Sequence, residues 1–144
     1  MTGVQTCALP IYNGPVWYDA DVKRFGHDSV GGLRGMKADA WEGGHRVPFI
    51  ARWPSEVRAG SVSHQTICFT DMLATLAAVV DVDLPEGGGP DSFSFLPVLR
   101  GTHADDKPIR GPLVIPASGG VMSIRSGPWK LITGLGSGGF SQPR

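Results

Sequence analysis

Apolar positions in this chain come in short bursts separated by polar and glycine-rich stretches. Residues 47–53 form one burst, and within it residues 49–53 read as a short buried core strand that Pro54 ends. Past a turn at Ala59-Gly60, Met72, Leu73, Leu76, Ala77 and Val80 recur at helical spacing behind Thr70 or Asp71, either of which can cap. That pattern predicts a helix docked on a core, with Asp71 and Thr75 serving capping and packing. Residues 94–99 read as a short apolar turn or helix, between a glycine-rich loop at 85–90 and a polar loop holding Asp105, Asp106 and Lys107. Three extended runs follow, 112–116, 121–125 and 129–132, the last two separated by Ser126-Gly127-Pro128. They predict an antiparallel meander closed by a tight hairpin. Residues 16–31 mix Trp17, Tyr18 and Phe25 with charges and read as an exposed loop with one helical turn. The class expected is α/β, locally α+β, with no internal repeat.

Composition narrows the function classes. Thirteen basic residues balance thirteen acidic ones, so the chain has no electrostatic footprint for nucleic acid or an anionic membrane. No apolar run approaches a bilayer span. A hydrophobic fraction of 41% supports a core, while 21 Gly and 12 Pro imply many turns. Of two cysteines, Cys68 sits in an apolar setting where a buried thiol is usual.

The densest stretch precedes the first core strand. It runs Gly35-Met36-Lys37, then Trp41-Glu42-Gly43-Gly44-His45-Arg46-Val47-Pro48, then Trp53-Pro54. Glycines at this density suit a backbone that turns tightly or approaches a ligand closely. Trp41 is expected to pack beneath the loop, Glu42 and Arg46 to pair or to satisfy loop amides, and His45 to be no metal ligand.

These motifs, in this order, resemble the sulfatase family, the formylglycine- and calcium-dependent sulfate ester hydrolases of the alkaline-phosphatase-like superfamily. The similarity runs from Asn13-Gly14-Pro15 to residues 136–140 and covers only the later part of such an enzyme. It implies the end of the family's large sheet domain over residues 12–84. For residues 85–144 it implies a truncated C-terminal subdomain, a small antiparallel sheet of four strands with a packed helix. The parent's main sheet would be mostly missing, so the face that packs on it would be exposed.

The resemblance assigns chemistry residue by residue. Lys37 matches the lysine that contacts the substrate sulfate. A fixed cation there stabilises negative charge spreading over the sulfuryl oxygens, as Lys, Arg and metal clamps do in phosphoryl transfer. Asn13 matches a calcium ligand, although Asn-Gly-Pro on its own is an ordinary turn. Tyr12 stands where the family has an aspartate ligand, and a phenol cannot replace a carboxylate at a hard cation. His27 lies between the two and either lines a substrate cleft or is a locally hydrogen-bonded surface histidine.

The first eleven residues resemble a translated short-read sequencing adapter and are excluded from the fold expectations. An adapter base overwriting an Asp codon would account for Tyr12. Neither Cys7 nor Cys68 fits the nucleophile pattern, Cys or Ser followed by x-Pro-x-Arg, so the formylglycine expected upstream is absent and the chain by itself is expected to be inactive. The implied partners are a sulfated small molecule or carbohydrate and the missing N-terminal part of the same catalytic domain. The implied compartment is periplasmic or secreted. The alternatives are a related phosphoester or phosphonate hydrolase, and a non-catalytic module that binds carbohydrate or a partner. One decoy, Gly134 to Gly139, satisfies GxGxxG but reads as a flexible loop rather than a dinucleotide fingerprint.

Overall fold

A computed structural model describes the backbone of residues 7–10 and all of residues 13–143. Two compact units emerge, one built chiefly of Ala51–Gly111, the other of Leu9–Ile50 with Pro112–Arg144.

Strand β1 (Cys7–Pro10) pairs with β2 (Phe49–Arg52) in a two-stranded sheet. Residues 7–10 of the adapter-like segment, excluded from the fold expectations, thus form a strand. Backbone ladders are indifferent to side chains, and an unpaired edge accepts any extended partner. β2 alternates half-buried and exposed positions, with Ile50 exposed, instead of forming the fully buried strand expected.

In the first unit, α2 (Asp71–Val79) follows Thr70 as the pattern predicts, and α3 (Leu96–Leu99) packs on it. The side chains α2 buries are Asp71 and Thr75, while Leu73, Leu76 and Val80 are exposed. Among the described residues the apolar face therefore docks on no core, contrary to the docking that the helical spacing predicts. Its polar residues stitch the unit instead. Asp71 Oδ2 accepts the Cys68 N–H at 2.8 Å, Oδ1 accepts the Phe93 N–H at 3.0 Å, and one Arg110 nitrogen donates to both oxygens at 2.8 Å. The Thr75 hydroxyl accepts the Phe95 N–H at 3.0 Å, seating the largest fully buried side chain. The Cys68 thiol is half-buried, 3.0 Å from the Thr70 hydroxyl.

The second unit contains α1 (Asp19–Phe25), longer than the single turn expected. Asp21 accepts the Tyr18 N–H at its start, and Gly26, left-handed at φ 63°, ends it. Its sheet is the predicted meander, β3 (Leu113–Pro116), β4 (Met122–Ser126) and β5 (Trp129–Ile132), in order β3-β4-β5. Three strands are present among the described residues, against four in the family pattern. Ser126 pairs with Trp129, so Gly127-Pro128 is a two-residue hairpin loop. Gly127 has φ 54°, and proline cannot take positive φ, which selects type II′ over type I′.

Register makes this sheet inside out. Val114, Ile124 and Leu131 align across one face with Met122 and Trp129, and all five are exposed, Trp129 at 79%. The opposite face carries Ser123, Arg125 and Lys130 inward beside Leu113, Ile115 and Ile132.

The loop at 134–139, expected to be flexible, is packed at Gly136, Ser137 and Gly138, while Leu135 is fully exposed. Ser137 is fully buried, its carbonyl accepts the Ala40 N–H at 2.7 Å, and a Cβ on Gly139 would overlap Ala38. Among the described residues no helix follows it.

Candidate functional site

Two glycine-rich segments of the second unit lock together around Lys37. The Lys37 N–H donates to the Pro15 carbonyl at 2.9 Å, and the Gly14 N–H donates to the Gly44 carbonyl at 3.0 Å. Gly43 donates to the Arg34 carbonyl at 2.8 Å. The approach is so close that a methyl on Gly14 would overlap the Gly43 carbonyl, and one on Gly43 would overlap that of Gly35. Glycine is required here for want of room rather than for backbone conformation.

Asp39 closes the loop from below. Its carboxylate accepts the Met36 N–H at 2.8 Å and the Ser141 N–H at 3.1 Å. Burial pushes its carboxyl up, but the hydrogen bonds from Ser141 and Met36 outweigh that and hold it below its ordinary value. Trp41 packs beneath the loop as expected, with the Arg34 guanidinium 3.7 Å from its ring centre.

The structure therefore sets the Lys37 backbone against Pro15, two residues after Asn13. Asn13 is half-buried, and the Lys37 side chain is exposed with no ion pair among the described residues. His27 is placed differently. It is exposed, with its ring edge-on to Trp17 at 6.0 Å and its carbonyl accepting the Trp17 indole N–H at 2.7 Å. No described contact joins it to Asn13 or Lys37. Tyr12 lies outside the described residues.

Calcium wants six to eight oxygen donors, several of them carboxylates. Among the described residues no three His, Cys, Asp or Glu side chains converge as a metal site. The nearby Asp39 carboxylate is already taken by backbone N–H groups. The residues present do not fit a calcium ion on their own, and Asn13 would be one ligand of a set completed elsewhere.

Sequence reasoning missed the cluster on the far side of the Glu42–Gly44 3₁₀ turn. Glu42 Oε1 accepts from the Lys130 ammonium at 2.8 Å, and Oε2 pairs with Arg125 at 2.6 Å. Arg46, the partner expected four residues on, stands off at 3.9 Å. The Lys130 ammonium also donates to His45 Nε2 at 2.8 Å, which requires the Nδ1–H tautomer of a neutral ring. Desolvation alone would raise the Glu42 carboxyl, but Arg125 and Lys130 bring it down to about 2. Burial and the Lys130 charge push His45 below its ordinary value, against the pull of Glu42. Burial likewise lowers the Lys130 ammonium. The one legible signal was inward-facing Arg125 and Lys130 on an amphipathic hairpin, which demands a buried acid.

No family model matches the chain. It is 37% identical over 127 residues to the N-acetylgalactosamine-6-O-sulfatase of Bacteroides thetaiotaomicron, covering 83% of this chain and 24% of that protein. Over 62 residues it is 45% identical to an ulvan-active sulfatase of Formosa agariphila, covering 43% of this chain and 12% of the relative. Over 73 residues it is 38% identical to human steryl-sulfatase, covering 51% of this chain and 12% of the relative. Among solved structures, one from work on glycosaminoglycan metabolism in Bacteroides thetaiotaomicron superposes with TM-score 0.71 at 36% identity, over 83% of this chain and 25% of the other. The chain spans a quarter or less of the length of these proteins.

Proposed function

We propose a role in sulfate ester hydrolysis, and the premise is the family itself: this chain belongs to the sulfatases, in the alkaline-phosphatase-like superfamily. In the complete protein it supplies the later part of a sulfuric ester hydrolase that converts a sulfate ester to an alcohol and inorganic sulfate. The substrate is a sulfated carbohydrate, by likeness to the N-acetylgalactosamine-6-O-sulfatase matched over most of the chain. The compartment is periplasmic or secreted, as the family resemblance implies.

Lys37 contacts the sulfate and stabilises charge on its oxygens as the ester bond breaks. Asn13 would supply one oxygen to a calcium ion, whose chemistry if bound would be to polarise the sulfate. His27, exposed beside Trp17 and in no described contact with Asn13 or Lys37, carries no part of this reading. The observation that carries this reading is the hydrogen bond from the Lys37 N–H to the Pro15 carbonyl, which sets the lysine beside the asparagine segment. An exposed lysine without an ion pair remains available to an anion.

Neither cysteine of this chain fits the Cys- or Ser-x-Pro-x-Arg pattern, and we propose that the 144-residue chain by itself is inactive. Aryl sulfate with calcium should give no turnover above background, and measurable hydrolysis would refute that. In a polypeptide extended through the Cys- or Ser-x-Pro-x-Arg segment, Lys37→Ala should lower kcat about a hundredfold or more. A variant retaining full kcat removes Lys37 from the sulfate site.

A further inference from the structure

The cluster around Glu42 touches neither Lys37 nor Asn13, yet it grips the turn against which both are set. Two cations reach Glu42 from the sheet, Lys130 on β5 and Arg125 on β4, and each engages a different carboxylate oxygen. The turn that Glu42 opens donates through Gly43 to the Arg34 carbonyl, just before Gly35-Met36-Lys37, and accepts the Gly14 N–H through Gly44. Pro15, next in the chain, receives the Lys37 N–H. The line from β5 to the lysine is thus Lys130, Glu42, the Gly43-Gly44 backbone, Gly14-Pro15, Lys37.

Geometry leaves little slack along that line. Gly14, Gly43 and Gly44 all lie where a single methyl would collide with opposing backbone, so the turn cannot shift without moving its neighbours. Lys130 has only 12% of its side chain exposed, and its ammonium is spent on Glu42 and His45. A lysine so enclosed, with a carboxylate and an imidazole as partners, is unsuited to meeting substrate and well suited to holding a turn in place.

We propose that Glu42, clamped by Lys130 and Arg125, is the positioning residue of the sulfate loop, holding the Gly14-Pro15 and Gly35-Met36-Lys37 segments in register. The proposal rests on the functional reading above only in naming sulfate as the ligand. Glu42 itself touches no reacting atom.

The test uses the 144-residue chain labelled with nitrogen-15, comparing amide hydrogen exchange in the unsubstituted chain, Glu42→Gln and Lys130→Met. Both variants should exchange at least tenfold faster at the Gly14 and Lys37 amides. The Phe95 amide, bonded to Thr75 in the other unit, should be unchanged. The charge-swapped double variant Glu42→Lys with Lys130→Glu should recover most of the protection, which generic loosening of the fold would not. Unchanged exchange at Gly14 and Lys37 in both single variants overturns the proposal, as does equal acceleration at Phe95. Titration with sodium sulfate is the separate arm. A Lys37 response weakened several-fold in Glu42→Gln supports the positioning role. Absence of any response in the unsubstituted chain counts against the functional reading alone, because the exchange result stands without a ligand.

Discussion

Each unit has an acid that meets cations from distant segments, Asp71 in the first and Glu42 in the second, and the two are held in opposite ways. Asp71 in the first unit is fully buried, and its partner Arg110 is 5% exposed; two backbone N–H groups and one arginine nitrogen use its acceptors. Glu42 in the second unit is 23% exposed and faces Arg125, Lys130 and, at longer range, Arg46, with neutral His45 alongside. One pair is closed and balanced, whereas the other cluster carries more positive than negative charge beside a loop that bears a free lysine. The first arrangement ties its unit's segments together, and the second adds a surplus of cations to the unit that carries the Lys37 loop.

Removing Asp71 should have the largest effect. Asp71→Ala strands the Arg110 charge in the interior, which typically costs about 3–5 kcal/mol. Urea denaturation followed at the Phe95 and Phe93 amides should show the first unit unfolding while the second keeps its transition. A loss below about 1 kcal/mol, the range of exposed ion pairs, would erase the contrast between the acids.

Gly14→Ala should come next, at about 3 kcal/mol, because the added methyl overlaps the Gly43 carbonyl and meets only backbone of the Gly43-Gly44 segment. The loss should fall on the second unit alone. Protection of the Lys37 amide intact in this variant would mean that the two glycine segments are not interlocked.

Acid should separate the units by a smaller margin. Glu42 is depressed from 4.5 to about 2, so its contribution is fully present above pH 4.5 and fades as the pH falls toward 2. His45 is depressed from 6.5, so the unfolded chain takes up its proton first, and stability is lost as the pH drops below 6.5. Stability of the second unit should therefore decline in two stages, the upper one near 1 kcal/mol or less for each pH unit. His45→Gln, monitored by exchange at Gly14 from pH 7 to 5, should abolish the upper stage. A persisting upper stage would assign it to another group.

Local pattern made much of this visible. Helix α2, the short α3, the meander and its Gly-Pro hairpin each follow from spacing and turn chemistry within a dozen residues, and the family motifs marked the Lys37 loop. What stayed hidden depends on separation along the chain. Glu42 finds Lys130 88 residues away, and the nearer Arg46 is the weaker partner, because side-chain reach and burial, not spacing, decide an ion pair. Apolar spacing on α2 likewise announced a face and could not say what covers it, so the helix came out with Asp71 and Thr75 buried and its leucines in water. The glycine-rich end at 134–139 misled in the same manner: glycines that suggest mobility sit where Gly139 meets Ala38 and Asp39 and Gly138 meets Val121, with no room for a side chain.

The inverted meander has a practical consequence. With Val114, Ile124, Leu131 and Trp129 on its open side and its charges turned inward, attraction between copies would be driven by water exclusion rather than by opposite charge. Ammonium sulfate should therefore hasten clumping of the isolated polypeptide and mild detergent should relieve it, while sodium chloride at moderate strength should change little. A soluble preparation is best sought by placing lysine or glutamate at Leu131 or Trp129, which leaves the cluster under the sheet untouched.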